Sequence, residues 1–169
     1  LNTINILLRE GNTAEASEYA DQLMPLHENI SKLGSCRNPV VDAFLSSRIQ
    51  DAEDRGISVK TDIMIPAELN ISNTDLIVLF GNIMDNAVEA CGCTEIKEIS
   101  LRSHAAKSYL IVTESNPAVK APQKKQRRIP ELERGVGFRV LSSLAKKYDG
   151  SFKHGVEDGV YTVTVMLRA

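Results

Sequence analysis

The stretch that most constrains this chain is residues 75–93, DLIVLFGNIMDNAVEACGC. Its apolar residues recur at spacings of three and four, which predicts a helix with one buried face: Leu76, Leu79, Phe80, Ile83, Met84, Ala87 and Ala90. The opposite face carries Asn82, Asn86 and Glu89, with Asp85 beside them. Asparagine is unfavourable inside a helix because its side chain competes for backbone groups. Two asparagines one turn apart therefore indicate a need for short oxygen ligands, which a hard cation such as Mg²⁺ takes together with phosphates and waters.

A second stretch, residues 133–141 with the sequence ERGVGFRVL, places two glycines directly before an amphipathic helix. Glycine lets a backbone approach a ligand closely because it carries no side chain. The N-terminus of the helix that follows offers free N–H groups, which bind phosphate. Gly135 and Gly137 therefore predict a phosphate-binding turn.

The elements follow one another as asparagine helix, two strands, polar loop, glycine turn with its helix, and two closing strands. In this order, NIMDNAVEA resembles the N box, and RGVGFRVL the G2 box, of the ATP-binding domain shared by histidine kinases, gyrase, Hsp90 and MutL. Nearly the whole chain is most similar to sensor histidine kinases of the Agr-type, peptide-sensing group. The resemblance implies an α+β Bergerat-type fold. This is a two-layer α/β sandwich with a mixed, mostly antiparallel sheet and helices on one face, preceded by a partial helical hairpin.

The resemblance also implies ATP and Mg²⁺ as cofactors and suggests which residues bind them. Asn86 matches the N-box asparagine that holds Mg²⁺. Asn82, one turn earlier, would reach a phosphate or a metal-bound water, so the two asparagines are the expected catalytic residues. Glu89 lies within a turn of Asn86 and would hold waters near the cation.

The glycine turn is expected to contribute the remaining phosphate contacts. Gly135 and Gly137 would let the chain pass close to the triphosphate, and Phe138 belongs to the same cofactor-binding motif. Arg134 offers a guanidinium group that could pair with a phosphate. The preceding segment, residues 117–133, is rich in proline and basic residues, and we interpret it as a mobile loop that closes over the nucleotide.

The adenine contact is where the chain departs from the family pattern. Relatives usually place an aspartate, followed by glycines, at the end of the strand before the loop. This chain has Asn116 there and no glycines after it. An amide oxygen can accept a hydrogen bond from the adenine amino group, but without the charge assistance of a carboxylate. Asn116 could equally be a turn residue before Pro117.

Two domains are predicted. Residues 1–35 look like the distal part of a dimerisation hairpin, and residues 36–169 form the catalytic ATP-binding domain. The phospho-acceptor histidine of such kinases would precede Leu1, and His27, followed by Glu28, is a weaker alternative. Helices and strands of the second domain are predicted at 39–54, 57–64, 73–93, 98–103, 108–115, 135–148, 151–156 and 160–167.

Composition excludes several classes of protein. The 169 residues carry a net charge of −2, which gives no indication of a nucleic-acid surface. The sequence has no apolar run long enough to span a membrane, and its three cysteines are too few for a disulfide framework, so we expect reduced thiols. Because the chain starts at Leu1 in the middle of a helical pattern, we expect a cytoplasmic fragment of a membrane-anchored kinase.

The resemblance implies that the γ-phosphoryl group of ATP passes to a histidine outside this fragment and then to a response regulator, which would be of the LytTR type. Residues 1–33 would form a homodimer, and the expected signalling context is quorum sensing. Three alternatives stay open: a serine-directed kinase of the anti-sigma kind, a MutL- or Hsp90-like ATPase, and a degenerate module that serves only as a dimerisation scaffold.

Overall fold

The computed structural model describes residues 12–13, 33–118 and 136–169. The chain divides into two units, Leu1–Ser31 and Lys32–Ala169. The described elements belong to the second unit, and in chain order they are β1 (Gly34–Cys36), α1 (Pro39–Asp54), β2 (Ser58–Ile65), α2 (Asn73–Gly92), β3 (Glu98–Ala106), β4 (Tyr109–Pro117), α3 (Val136–Lys147), β5 (Ser151–Glu157) and β6 (Val160–Arg168).

The strands form one sheet in the order β1-β2-β3-β4-β6-β5. The pairs β1–β2 and β2–β3 are parallel, and the other three pairs are antiparallel. Parallel neighbours need a crossover connection, and α1 and α2 provide it. The predicted mixed, mostly antiparallel sheet is confirmed.

The helices form the second layer of the sandwich. Helix α1 packs against β1 and β2, α2 against β3 and β4, and α3 against β5 and β6. Every second residue of β4 is buried, from Leu110 through Val112 and Glu114 to Asn116. This alternation is the pattern of a strand with one face against a core. The core lies between the sheet and the helices, and its largest side chains include Phe80, Leu45 and Leu101.

Short-range capping explains where the helices begin and end. The side chain of Asn38 accepts hydrogen bonds from the N–H groups of Val40 and Val41, both at 3.1 Å, and Pro39 follows it in the first turn. Helix α1 ends at Asp54, and Gly56 supplies a left-handed conformation with φ +73°. Ser72 caps α2, the asparagine helix.

The structure corrects several predicted positions. The apolar patterns of helices α1 and α3 predict that Val40 and Val136 are buried, but their exposed fractions are 41% and 58% because each lies in the first turn of its helix, beyond the packed stripe. On α2, Ala90 is only half-buried, and Cys91 completes the buried face instead. His154 lies in the interior of β5 and not at a strand end.

The region around the predicted domain boundary contains an additional strand. Residues 34–36 form β1, whose backbone pairs with Ile63–Ile65 of β2. The predicted hairpin and basic loop lie outside the described residues, except for positions 12–13, 33–35 and 117–118. The division into domains at residue 35 and dimerisation through residues 1–33 stay predictions. Among the described residues, no helix is long and apolar enough to cross a membrane.

Candidate functional site

The two sequence motifs meet where the first turn of α3 lies against α2. A Cβ atom built on Gly137 would stand 3.2 Å from both Oδ1 and Nδ2 of Asn86, and 3.4 Å from Oδ1 of Asn82. The two distances to Asn86 are tighter than ordinary Cβ contacts, so a side chain at position 137 would require the Asn86 amide to shift by a few tenths of an ångström. The structure therefore brings together Asn82, Asn86 and Gly137, which lie far apart in the sequence.

The two carboxamides have different hydrogen-bonding states. Asn82 donates from Nδ2 to the carbonyl oxygen of Val78 at 2.7 Å, which fixes its amide and leaves Oδ1 on the side of Gly137. Nδ2 of Asn86 is buried and has no hydrogen-bond partner among the described residues. A buried donor without a partner is unfavourable, and such groups often mark a place where a ligand or water completes the structure. The oxygen of such an amide can bind a hard cation, and its free N–H can donate to a phosphate oxygen that is bound to the same cation.

Helices α2 and α3 run antiparallel, and a polar cluster fixes their far ends. Asp75 in the first turn of α2 accepts hydrogen bonds from Nζ of Lys147 at 2.6 Å and from the hydroxyl of Tyr148 at 2.5 Å. The bond from Lys147, followed by those from Tyr148 and Ser72, lowers the pKa of Asp75 to about 2. The opposite end of α3 carries Gly137, so this cluster helps to hold Gly137 over the asparagines.

An aromatic cluster fixes the start of α3 to the closing hairpin. The ring of Phe138 stacks on His154 of β5, with centroids 4.8 Å apart, and lies 5.8 Å from Phe152. The ring of His154 is 6.0 Å from that of Tyr161 on β6. Phe138, predicted to bind the cofactor, is thus part of a four-ring cluster next to Gly137.

Glu89 occupies a different place from the asparagines. It is exposed and borders an open cavity of about 420 Å³, whose other lining residues are Arg55, Ile57, Asp85, Val88, Gly92 and Lys97. That lining includes neither of the two asparagines nor Gly137. Its neighbour Asp85 forms an ion pair with Arg48 at 3.5 Å. Arg134 and Gly135 lie outside the described residues.

Asn116 lies on the buried face of β4, directly opposite Tyr161 of β6, and is 3% exposed. Its Nδ2 donates to the carbonyl oxygen of Pro117 at 2.9 Å. Its Oδ1 receives no hydrogen bond within the described part of the chain, so it remains available as an acceptor.

A second polar residue on the same face of β4 was not predicted from the sequence. Glu114 is 1% exposed, and its Oε1 has no hydrogen-bond partner in the regions that the structure describes. Burial raises the pKa of Glu114 to about 8. Burial, and then the charge of Glu114, raises the pKa of Tyr161 to about 12. The alternation of β4 carried the signal, because position 114 shares its face with Leu110 and Val112.

Comparison with known proteins identifies the class of the fold. The catalytic domain of histidine kinase ThkA superimposes with a TM-score of 0.60 at 14% identity, covering 76% of this chain and 89% of that one. A histidine kinase from Burkholderia phymatum gives a TM-score of 0.60 at 16% identity, covering 96% of this chain and 80% of that one. The fold is that of histidine kinase catalytic domains.

The family model for the GHKL domain matches residues 71–168, from just before α2 to the end of the sheet. The chain belongs to this family. The sensor histidine kinase DcuS of Escherichia coli K12 is 27% identical over 96% of the chain. The sensor protein PhoQ of Escherichia coli O157:H7 is 25% identical over 69% of it. The chain spans 33% and 25% of the lengths of these two relatives, respectively.

Proposed function

We propose that the cleft between α2 and α3 binds ATP with Mg²⁺ and that the domain catalyses transfer of the γ-phosphoryl group to a histidine. The observation that carries the proposal is the position of Gly137 directly over the side chains of Asn82 and Asn86. These groups suit a triphosphate that is bound together with Mg²⁺. The carboxamide oxygens can bind the cation, and the helix N-terminus and the backbone of Gly137 can approach the phosphates.

Each group of the cleft has a distinct role in this proposal. Asn86 holds the cation through its carbonyl oxygen, and Asn82 directs Oδ1 towards metal-bound water. Gly137 and the first N–H groups of α3 approach the phosphates, with Gly135 and Arg134 extending that contact. When bound, Mg²⁺ neutralises charge on the triphosphate, and the protein contributes mainly positioning.

The base lies against β4 in this proposal, where Asn116 accepts a hydrogen bond from the adenine amino group. Phe138 borders the nucleotide, and Glu89 holds waters at the outer edge. The support for the base contact is that Asn116 is a buried residue whose Nδ2 is already bonded to Pro117, which leaves Oδ1 as its remaining hydrogen-bonding atom.

The role in a whole protein is proposed from the relatives, one of which is named a sensor histidine kinase and the other a sensor protein. We propose that this domain is the cytoplasmic part of a membrane-anchored sensor kinase. That kinase dimerises through residues 1–33 and passes the phosphoryl group to a response regulator. As the specific form we propose an Agr-type kinase that senses a peptide in quorum sensing and has a LytTR-type regulator, from the resemblance of the sequence motifs alone.

The main alternative is a degenerate domain that serves only as a scaffold. Two features of the sequence favour this alternative. Asn116 stands where relatives usually have an aspartate, and the glycines that usually follow the aspartate are missing. A serine-directed kinase would share the cleft and would differ in the residue it phosphorylates.

Calorimetric titration with ATP, with and without Mg²⁺, tests the proposal. We expect Asn86→Ala to remove most of the gain in affinity that Mg²⁺ provides and to change metal-free binding less. The exposed residue Asn70 provides the control, since Asn70→Ala should bind like the wild type. A wild-type chain that binds no ATP at millimolar concentration would establish the scaffold alternative. Transfer of ³²P from ATP to a supplied acceptor histidine, compared with a serine, distinguishes the two kinases.

A further inference from the structure

The helix-facing side of the sheet carries buried polar atoms that have no hydrogen-bond partner within the described part of the chain. Three of them are Nδ2 of Asn86 on α2, Oε1 of Glu114 on β4 and the hydroxyl oxygen of Tyr161 on β6. Native structures leave few such atoms unpaired, and each one calls for a specific explanation. Helix α2 packs on β4, and β4 pairs with β6, so the three groups border neighbouring parts of one layer.

Of these three groups, Glu114 most needs an explanation, because a carboxyl group can carry a charge. Side chains of this type are almost never fully buried without a partner. The neighbouring titratable groups are Cys91 of α2 and Tyr161 of β6, both of which interact electrostatically with Glu114. Neither a thiol nor a phenol is positively charged, so neither can compensate a buried carboxylate. Ser103 of β3 is buried on the same face and is likewise unpartnered.

A carboxyl group in such surroundings is held in its neutral form, which changes its hydrogen-bonding capacity. A carboxylate only accepts hydrogen bonds, whereas a protonated carboxyl group donates one and accepts others. The Watson–Crick edge of adenine presents an amino donor beside a ring-nitrogen acceptor. A protonated carboxyl group matches both, and a carboxylate matches only the amino group. Glu114 lies two residues before Asn116 on the same buried face of β4, where the base is proposed to bind.

We propose that Glu114 binds the nucleotide base as a protonated carboxyl group, so that nucleotide affinity in this domain depends on the protonation of Glu114. The proposal rests on the proposed function, since it places the base against β4. It adds a specificity-determining residue and a proton dependence that the carboxamide of Asn116 cannot provide.

The consequence is a fall in nucleotide affinity on the alkaline side of neutrality. Burial raises the pKa of Glu114 to about 8, so the protonated fraction falls between pH 7 and pH 9. If only the protonated form binds, the affinity is reduced in proportion to that fraction, by about tenfold over this interval. Glutamine is neutral at every pH, and its amide still offers both a hydrogen-bond donor and an acceptor to the base. Glu114→Gln should therefore bind with the same affinity at pH 7 and at pH 9.

The experiment is titration of the full chain with ADP in metal-free buffer from pH 6 to pH 9, for the wild type and Glu114→Gln. Cys91→Ala and Tyr161→Phe remove the other two titratable groups and should keep the wild-type pH dependence. The unfolding free energy of each variant, measured at each pH, separates loss of binding from loss of fold. The infrared carbonyl band of a protonated carboxyl group, absent from Glu114→Gln, should shift when ADP binds.

The outcomes distinguish this inference from the proposed function. ADP binding by the folded wild type that is independent of pH between 7 and 9, or an unchanged pH dependence in Glu114→Gln, would overturn the role of Glu114 and leave nucleotide binding intact. A wild type that binds no ADP at any pH would overturn both.

Discussion

Gly137 stands over Asn86 so closely that a Cβ atom at Gly137 would lie 3.2 Å from both side-chain atoms of the amide. This single relationship joins the asparagine helix to the glycine turn and defines the cleft. The fold produces it by running α2 and α3 antiparallel, with the cluster at Asp75 fixing one end of α3 and the aromatic cluster at Phe138 fixing the other.

The first prediction concerns that contact. Gly137→Ala should lower ATP affinity by about tenfold or more, because the methyl group displaces the two amides that the ligand needs. The stability should change by less than about 1 kcal/mol, since alanine is a better helix residue than glycine. Calorimetry and chemical unfolding measure the two effects. Gly92→Ala is the control, because a Cβ there meets nothing within 4 Å and binding should be unaffected. Normal ATP binding by Gly137→Ala would show that the ligand does not use this cleft.

The second prediction separates the base from the metal. Asn116→Ala should weaken ATP binding equally with and without Mg²⁺, by about 1 kcal/mol for one neutral hydrogen bond. Asn116→Asp should bind ATP at least as well as the wild type and should discriminate more strongly against GTP, whose O6 would face a like acceptor. Titration of both variants with both nucleotides tests this. If both variants bind ATP as the wild type does, Asn116 does not contact the base.

The third prediction concerns the cluster that anchors α3. Asp75→Asn should destabilise the domain by about 1 kcal/mol near neutral pH, because the charge-assisted bonds from Lys147 and Tyr148 weaken. The folded state lowers the pKa of Asp75 from 3.8 to about 2, so the carboxylate stabilises the fold above the unfolded pKa. This contribution is lost as the pH falls from about 4 to about 2. Urea unfolding across that range should show the difference from Asp75→Asn disappearing. The exposed Asp62→Asn is the matched control, and an equal effect there would contradict the assignment.

The fourth prediction concerns the turn between α3 and β5. A Cβ on Gly150 would lie 1.8 Å from the carbonyl oxygen of Met166, a backbone atom that cannot move aside cheaply. Gly150→Ala should therefore destabilise the domain by about 2 kcal/mol or more. Gly155 on β5 has open space at the same atom, so Gly155→Ala should leave the stability nearly unchanged. Thermal unfolding of the two variants should differ clearly, and similar melting temperatures would mean that this turn is packed differently.

Local patterns predicted most of the elements, because helices α1 to α3 and strands β2 to β6 each carry their own periodicity and end at caps or turns. Strand β1 was missed because three residues are too few to show an alternation, and its place depends on pairing with Ile63–Ile65. The order of the sheet depends likewise on contacts between distant residues. At the site, the two motifs assigned Asn86 and Gly137 to one nucleotide site, but their direct contact depends on the packing of α3 against α2. The only sequence signal for the burial of Glu114 is that it shares one face of β4 with Leu110 and Val112. A glutamate side chain is usually exposed, which argues against burial at this position.

The last prediction concerns the stability cost of Glu114. The folded state raises the pKa of this carboxyl group from 4.5 to about 8, so between these values the folded state binds more protons than the unfolded state. The unfolding free energy of the wild type should therefore fall as the pH rises from about 4.5 to about 8 and become level above that range.

Glu114→Gln removes this titration and should be more stable than the wild type at pH 8 by about 4 kcal/mol, with no such advantage at pH 4. Chemical unfolding of both proteins between pH 4 and pH 9 measures the difference. The exposed residue Glu68 is the matched control, and Glu68→Gln should follow the wild type at every pH. A constant difference between Glu114→Gln and the wild type across this range would mean that folding does not change the pKa of Glu114, because only a pKa that differs between the folded and unfolded states makes the unfolding free energy depend on pH.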